Sequence, residues 1–259
     1  MTIDLTIDGA VGEIVLNDPA KLNALDETAL GELAEAYAEA AAARVGAVLL
    51  RGEGRAFCAG RDISHVDPAT DDATGYLAGV VTPVLRQIDG FPAPTFAMAT
   101  GACLGVGLGL LIASDVVYVA DTAKIGSPFA NLGATLDSGG HALFFERLGA
   151  HRTLDLVYTG ELMSGAEAVA AGLFSRVVPA AELLDFTRER VHRVSLGATE
   201  AFRASKALVH ELRDERLGLW DSIDHENVAQ GELCSTDDYR EGFAAFQQKR
   251  APVFGAARL

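Results

Sequence analysis

The sequence predicts an α/β fold in which strand–strand–helix units repeat and a helical appendage follows. Runs of strand length, apolar or alternating, recur up to Val178, separated by glycine-rich loops and amphipathic stretches. Beyond about residue 180 such runs stop, and helical spacing of apolar residues continues to about Gln248. Apolar residues make up 49% of the 259, enough for one large core. We place that core at residues 1–195 and the helical C-terminal region at 196–259.

Taken in order, residues 2–7 and 12–17 alternate apolar and polar around Asp8-Gly9, which predicts a hairpin. Asp26 is placed to cap a helix reaching about Ala43, with Leu30, Leu33, Ala34 and Tyr37 on one face. Ala47–Leu50 is expected as a buried strand that enters a glycine-rich loop, residues 52–60. A helix is expected over 74–88, with Pro83 bending it. Strands are expected at 95–99 and 115–120, flanking a helix over 105–113. Helical spacing then covers 138–148 and 151–159. Ser164 and Glu167 form a capping box for a helix that ends at Gly172, and a last core strand follows over 174–178.

The net charge of −15 argues against nucleic acid and against anionic membrane surfaces as partners, since both need a basic face. Cys58, Cys103 and Cys234 are odd in number and widely spaced, which fits neither a disulfide framework nor a zinc knuckle. The opening MTIDLTIDG is acidic and alternating, unlike a signal peptide, so a cytoplasmic location is expected. No HExxH, no GxSxG and no histidine pair at zinc-ligand spacing is present, and no metal is expected.

Two glycine-rich segments carry the chemistry: Gly54-Arg-Ala-Phe-Cys-Ala-Gly-Arg-Asp-Ile63 and Gly101-Ala-Cys-Leu-Gly-Val-Gly-Leu-Gly109. Glycines at strand-to-helix junctions let backbone approach a ligand, and a helix N-terminus offers unpaired N–H groups. Two such loops converging could aim donors at one oxygen atom, as an oxyanion hole requires. Close helix-on-strand packing would explain either segment alone. The glycines over 105–109 lack the GxGxxG spacing of a dinucleotide fingerprint.

Five segments in order resemble the crotonase (enoyl-CoA hydratase/isomerase) superfamily. They are Asn17-Asp-Pro-Ala-Lys-Leu-Asn-Ala-Leu25, residues 55–63, Gly101 to Asp115, Ser164 to Val178, and Lys249-Arg-Ala-Pro-Val-Phe254. The resemblance implies a spiral of ββα turns, a C-terminal trimerisation region, and a homotrimer or a hexamer. It implies an acyl-CoA substrate with its thioester carbonyl between the backbone N–H groups of Arg61 and Val106. Coenzyme A, part of the substrate and the only cofactor implied, would run past Lys21, Ala24, Ala59, Asp62 and Ile63. Lys249 would reach its phosphates from a neighbouring subunit. Lys21 and Lys249 are equally readable as solvated surface charges.

Hydratases of the family carry two glutamates, and the matching positions here are Gly109 and Phe129. Hydration needs a base for water and an acid for carbon, so the resemblance implies a different reaction. Glutamates at both positions together are expected to restore two carboxylates if the backbone matches. The remaining carboxylate is Asp137, in Gly133-Ala-Thr-Leu-Asp-Ser-Gly-Gly-His141. In epoxyphenylacetyl-CoA and dienoyl-CoA isomerases an Asp at the matching position moves protons; in chlorobenzoyl-CoA dehalogenase it is the nucleophile. Asp137 is also readable as the N-cap of the helix over 138–148. Phe129, Leu132 and Leu136 suggest apolar surroundings that would raise its pKa. His141 would share its helical face if the helix begins at 138. Phe91, Phe129, Phe144 and Phe145 are candidates for an apolar pocket.

The expected activity is an enoyl-CoA isomerase, with Asp137 as the proton carrier. A thioester hydrolase or dehalogenase-like enzyme with Asp137 as nucleophile, and an idle acyl-CoA-binding subunit, remain the alternatives.

Overall fold

The computed structural model describes residues 2–67 and 69–255. The N-terminal hairpin forms as expected: β1 (Ile3–Asp8) pairs antiparallel with β2 (Val11–Leu16), and Ile14 and Leu16 face the core. Asp26 caps α1 (Glu27–Ala42) by accepting from Ala29 N at 2.8 Å, and Leu30, Leu33 and Tyr37 bury one face of that helix. β3 (Ala47–Gly52) is buried along most of its length, as a central parallel strand requires.

The stretch expected as one helix bent at Pro83 is three joined pieces: α2 (Ala73–Tyr76), a π-helical turn (Leu77–Val81) and α3 (Thr82–Asp89). Pro83 lacks an N–H, and its ring would crowd the carbonyl four residues back. The turn before it widens instead. Thr82 donates to Leu77 O from its backbone N–H and, at 2.8 Å, from its hydroxyl.

β4 (Thr95–Ala99), β6 (Val116–Ala120) and β9 (Arg176–Val178) complete a six-stranded sheet ordered β1-β2-β3-β4-β6-β9, parallel from β2 onward. β5 (Ala102–Leu104), β7 (Lys124–Gly126) and β8 (Met163–Ser164) form a second, three-stranded sheet. α4 (Val106–Ile112) leaves β5 and is buried over its first six residues. Asp115 locks its far end. Its carboxylate accepts from Thr95 N and Lys206 Nζ, and its N–H donates to the Thr95 hydroxyl.

The two helices expected over 138–159 join as α5 (Gly140–Thr159), broken at Gly149, where φ is 74° and ψ is 173°. The capping box of α6 (Gly165–Ala170) has both of its reciprocal bonds. α7 (Leu183–Ser195) packs on the main sheet through Leu183 and Val191, with Arg188 paired to Glu13 of β2. From there burial stops. α8 (Thr199–Glu215) buries no residue, α9 (Leu219–Leu233) buries only Ser222, and α10 (Asp237–Gln247) only Ala245.

Among the described residues no helix is long and apolar enough to cross a membrane. The architecture is a mixed α/β fold of one six-stranded and one three-stranded sheet, followed by a helical C-terminal region.

Candidate active site

The site begins with one buried asparagine. Asn23 is 1% exposed and in the left-handed region, a conformation asparagine tolerates better than most residues. Its amide donates to Glu53 O and Ala56 O, and its Oδ1 accepts from Asp18 N. The 17–25 loop is thereby fixed against the glycine-rich loop. Three backbone bonds complete the seam: Leu25 N to Gly60 O at 2.8 Å, Ala59 N to Leu22 O at 3.0 Å, and Asp62 N to Leu25 O at 2.9 Å.

Lys21, Ala24, Ala59, Asp62 and Ile63 therefore lie together on adjoining loops. Lys21 Nζ is 2.7 Å from Asp62. That ammonium, with the Ser64 hydroxyl and N–H, holds the Asp62 carboxyl well below the usual range. Ile63 is 54% exposed, an apolar side chain in the open beside an ion pair. Lys249 follows the end of α10 in the left-handed region, and no hydrogen bond or ion pair ties it to this cluster.

The two glycine-rich segments do converge. Phe57 N donates to Thr100 O, Cys58 N to Ala102 O, and Leu104 N to Cys58 O, all within 3.0 Å. Gly105 has φ 53° and ψ −120°, a conformation closed to residues with a side chain. A Cβ there would fall 2.9 Å from Phe129 Cζ and 3.9 Å from Gly60 Cα. The residues that follow these two facing glycines are Arg61 and Val106. Val106 opens the first turn of α4, where N–H groups have no partner in the helix. Neither N–H meets an acceptor among the described residues. Burial pushes the Cys58 thiol behind the loop up to about 12, so it is inert as a nucleophile.

Asp137 does not cap α5. The residue preceding that helix is Gly139, and no side chain caps it. Asp137 Oδ1 is buried without a hydrogen-bond partner. Desolvation raises its pKa, with the Ser138 hydroxyl opposing in part. The apolar neighbour is Leu136, at 6% exposure; Leu132, expected beside it, is 62% exposed.

Ser138 has φ 52°, and its Cβ fills the space over Gly109: a Cβ at Gly109 would lie 2.5 Å from it. The position that matches a hydratase glutamate thus has no room for any side chain. The other, Phe129, carries a ring packed over Gly105.

Tyr76, missed in the sequence, also belongs here. Its ring lies under the Arg61 guanidinium, 4.0 Å from Cζ to centroid, and Asp71 grips that guanidinium at 2.8 and 3.0 Å. Nothing in the sequence marks it, because the π-turn that begins at the next residue is visible only in the structure. Of the four candidate phenylalanines only Phe129 reaches the loops. Phe91 stacks edge-on against Tyr37 in the core, Phe144 is buried in the same core, and Phe145 is 62% exposed.

Since α5 starts at Gly140, His141 does not share a helical face with Asp137; it is exposed, 3.5 Å from the Thr135 hydroxyl. Trp220 is 75% exposed on α9. Among the described residues no group of three or more His, Cys, Asp or Glu is placed to hold a metal ion.

The sequence model of the enoyl-CoA hydratase/isomerase family matches residues 6–257. The chain is 36% identical over 263 residues to a probable enoyl-CoA hydratase of Mycobacterium bovis, covering 98% of this chain and 97% of that one. It is 32% identical to a putative enoyl-CoA hydratase/isomerase of Bacillus subtilis, with 98% and 99% covered. Among solved structures it superposes on an enoyl-CoA hydratase subunit I of Geobacillus kaustophilus with a TM-score of 0.89, at 30% identity over 99% of this chain and 98% of the other. With matching motifs, matching fold and near-complete coverage, the chain belongs to the enoyl-CoA hydratase/isomerase family of the crotonase superfamily.

Proposed function

We propose that the protein is an enoyl-CoA isomerase: it moves a double bond along an acyl-CoA chain by proton transfer through a thioester enolate. The thioester oxygen sits between Arg61 N–H and Val106 N–H, which stabilise negative charge as it develops there. Asp137 takes a proton from one carbon of the acyl chain and returns it to another, so the reaction is redox-neutral. Coenzyme A, as part of the substrate, lies along Lys21, Ala24, Ala59, Asp62 and Ile63.

The observation that carries this reading is the orphaned, buried Asp137 Oδ1, with its raised pKa. A carboxylate with a buried, unpaired oxygen in a desolvated place is costly to fold and well suited to taking protons. The closed space at Gly109 favours one-carboxylate chemistry over two-glutamate hydration. Nothing around the exposed His141 or Trp220 favours the hydrolase or dehalogenase reading.

Asp137→Asn is the test. Losing a positioned base costs about 10²–10⁴-fold in rate, and turnover on 3-enoyl-CoA substrates is expected to fall by that order. Exchange of substrate protons into deuterated water should fall with it. Retained turnover and exchange would remove the isomerase reading. A covalent acyl-enzyme trapped at Asp137 in the native protein would establish the nucleophile alternative in its place.

A further inference from the structure

Three buried polar atoms beside the site, those of Tyr76, Asp137 and Ser138, are left without partners. Tyr76 is 6% exposed, and its hydroxyl has no hydrogen-bond partner. Asp137 Oδ1 and the adjacent Ser138 Oγ are likewise without a hydrogen-bond partner. Tyr76 and Asp137 each border the Arg61–Val106 pair: the Tyr76 ring lies under the Arg61 guanidinium, and Ser138, next to Asp137, fills the space over Gly109 on the helix that Val106 opens; no hydrogen bond joins the two groups. Burial holds Tyr76 protonated, with its pKa pushed up to about 12, so it is a donor at neutral pH. The phenol is not free to swing out of the site. The Arg61 guanidinium covers its ring, Asp71 fixes that guanidinium, and the π-turn begins at the next residue. A buried donor and a buried acceptor, each fixed and each unsatisfied, require a third polar atom.

We propose that Tyr76 is a specificity-determining residue whose hydroxyl donates a hydrogen bond to an oxygen atom carried on the acyl chain beside Asp137. The site thereby selects oxygenated acyl thioesters over plain hydrocarbon ones. The inference rests on the acyl-thioester reading of the site. A hydrocarbon chain would leave both Tyr76 and Asp137 unpaired and dry. Sites built to pair with a substrate hydroxyl reject the analogue that lacks it far more strongly than apolar pockets reject a missing methylene.

The test is calorimetric titration of the native protein with hexanoyl-CoA, 3-hydroxyhexanoyl-CoA and 4-hydroxyhexanoyl-CoA, repeated with Tyr76→Phe. One hydroxyacyl thioester is expected to bind the native protein about 10–100-fold tighter than hexanoyl-CoA. In Tyr76→Phe, which keeps the ring under Arg61, that ratio should fall to near one. Equal affinities in the native protein, as expected if an ordered water fills the gap, would overturn the proposal while leaving the thioester site intact. A preference that survives in Tyr76→Phe would overturn it too. Failure of all three thioesters to bind would bring down the acyl-CoA reading with it. The native comparison stands alone even if Tyr76→Phe melts early.

Discussion

Gly109 and Ser138 share a space too small for two side chains, and Asp137 is the residue next to that contact. With a Cβ at Gly109 only 2.5 Å from Ser138 Cβ, Gly109→Ala must push Ser138 away and carry Asp137 with it. We expect a loss of about 1–3 kcal/mol in urea denaturation and a larger proportional loss of turnover. Adding Ser138→Gly removes the clashing Cβ and also suits the φ of 52° there, so the double variant should recover most of the stability. Additive losses in the pair would mean that the contact is not what limits position 109. The same contact stands against the expectation that glutamates at 109 and 129 restore hydration, because Ser138 Cβ occupies the space that the first would need. Asp137 gives a pH signature as well. Its folded pKa is raised, so the neutral form stabilises the fold at low pH, and that contribution disappears as pH rises through the raised value. Asp137→Asn is therefore expected to melt at or above the native temperature at pH 7, with any difference shrinking toward acid pH. A marked drop in melting temperature at pH 7 would restore the capping role that the structure denies it.

The elements that hold the site differ in how far the sequence announces them. Asp26 and the Ser164–Glu167 box were legible because capping is local chemistry, decided by side chains within three residues. The hairpin at β1–β2 and the buried β3 followed from period and apolar run. β5, β7 and β8 did not, being two or three residues long, with pairings that join segments tens of residues apart. Pro83 pointed to a disturbance in the 74–88 helix, but not to a π-turn, and so not to Tyr76 at its start. The left-handed Ser138 could not be read either, since its partner in space is Gly109, on α4. Asn23 lies between these cases: its segment was singled out, its structural duty was not. Asn23→Ala would strip partners from Glu53 O, Ala56 O and Asp18 N and leave alanine in a left-handed conformation. About 2–4 kcal/mol of stability should go, together with weakened coenzyme A binding as Lys21 and Asp62 lose their register. Native coenzyme A affinity in the variant would show that the seam between Leu22, Leu25 and the glycine loop holds without it.

At the scale of the whole molecule, burial ends at α7. The main sheet is covered as far as Val191 and Ser195, whereas α8, α9 and α10 contribute Ser222 and Ala245 and almost nothing else to the buried interior. Yet these helices are not polar all round. Val209 is 60% exposed, Leu219 69%, Trp220 75% and Phe246 85%. Ala201, Leu233, Tyr239, Phe243, Phe246 and Phe254 are among the residues that line an open apolar cavity of about 470 Å³. Ion pairs tie α8 to the core, Arg213 to Asp89 and Lys206 to Asp115, and His210 Nε2 lies 3.5 Å from Asp89. A pair as exposed as Arg213–Asp89 orients a helix without supplying much stability. An amphipathic helix needs a second surface for its apolar stripe, and the described residues of the single chain offer none to these side chains. We propose that other copies of the chain supply it, in a trimer or a hexamer, and that Lys249 then meets the coenzyme A phosphates of a neighbouring subunit. Light scattering coupled to gel filtration at micromolar concentration should give three or six chain masses. Placing a charge at the most exposed of these positions, Phe246→Asp, should shift the distribution toward smaller species. Lys249→Ala should leave the mass unchanged and weaken coenzyme A binding several-fold. A native protein that runs as a monodisperse monomer would leave the apolar face without its partner and Lys249 without a route to the substrate.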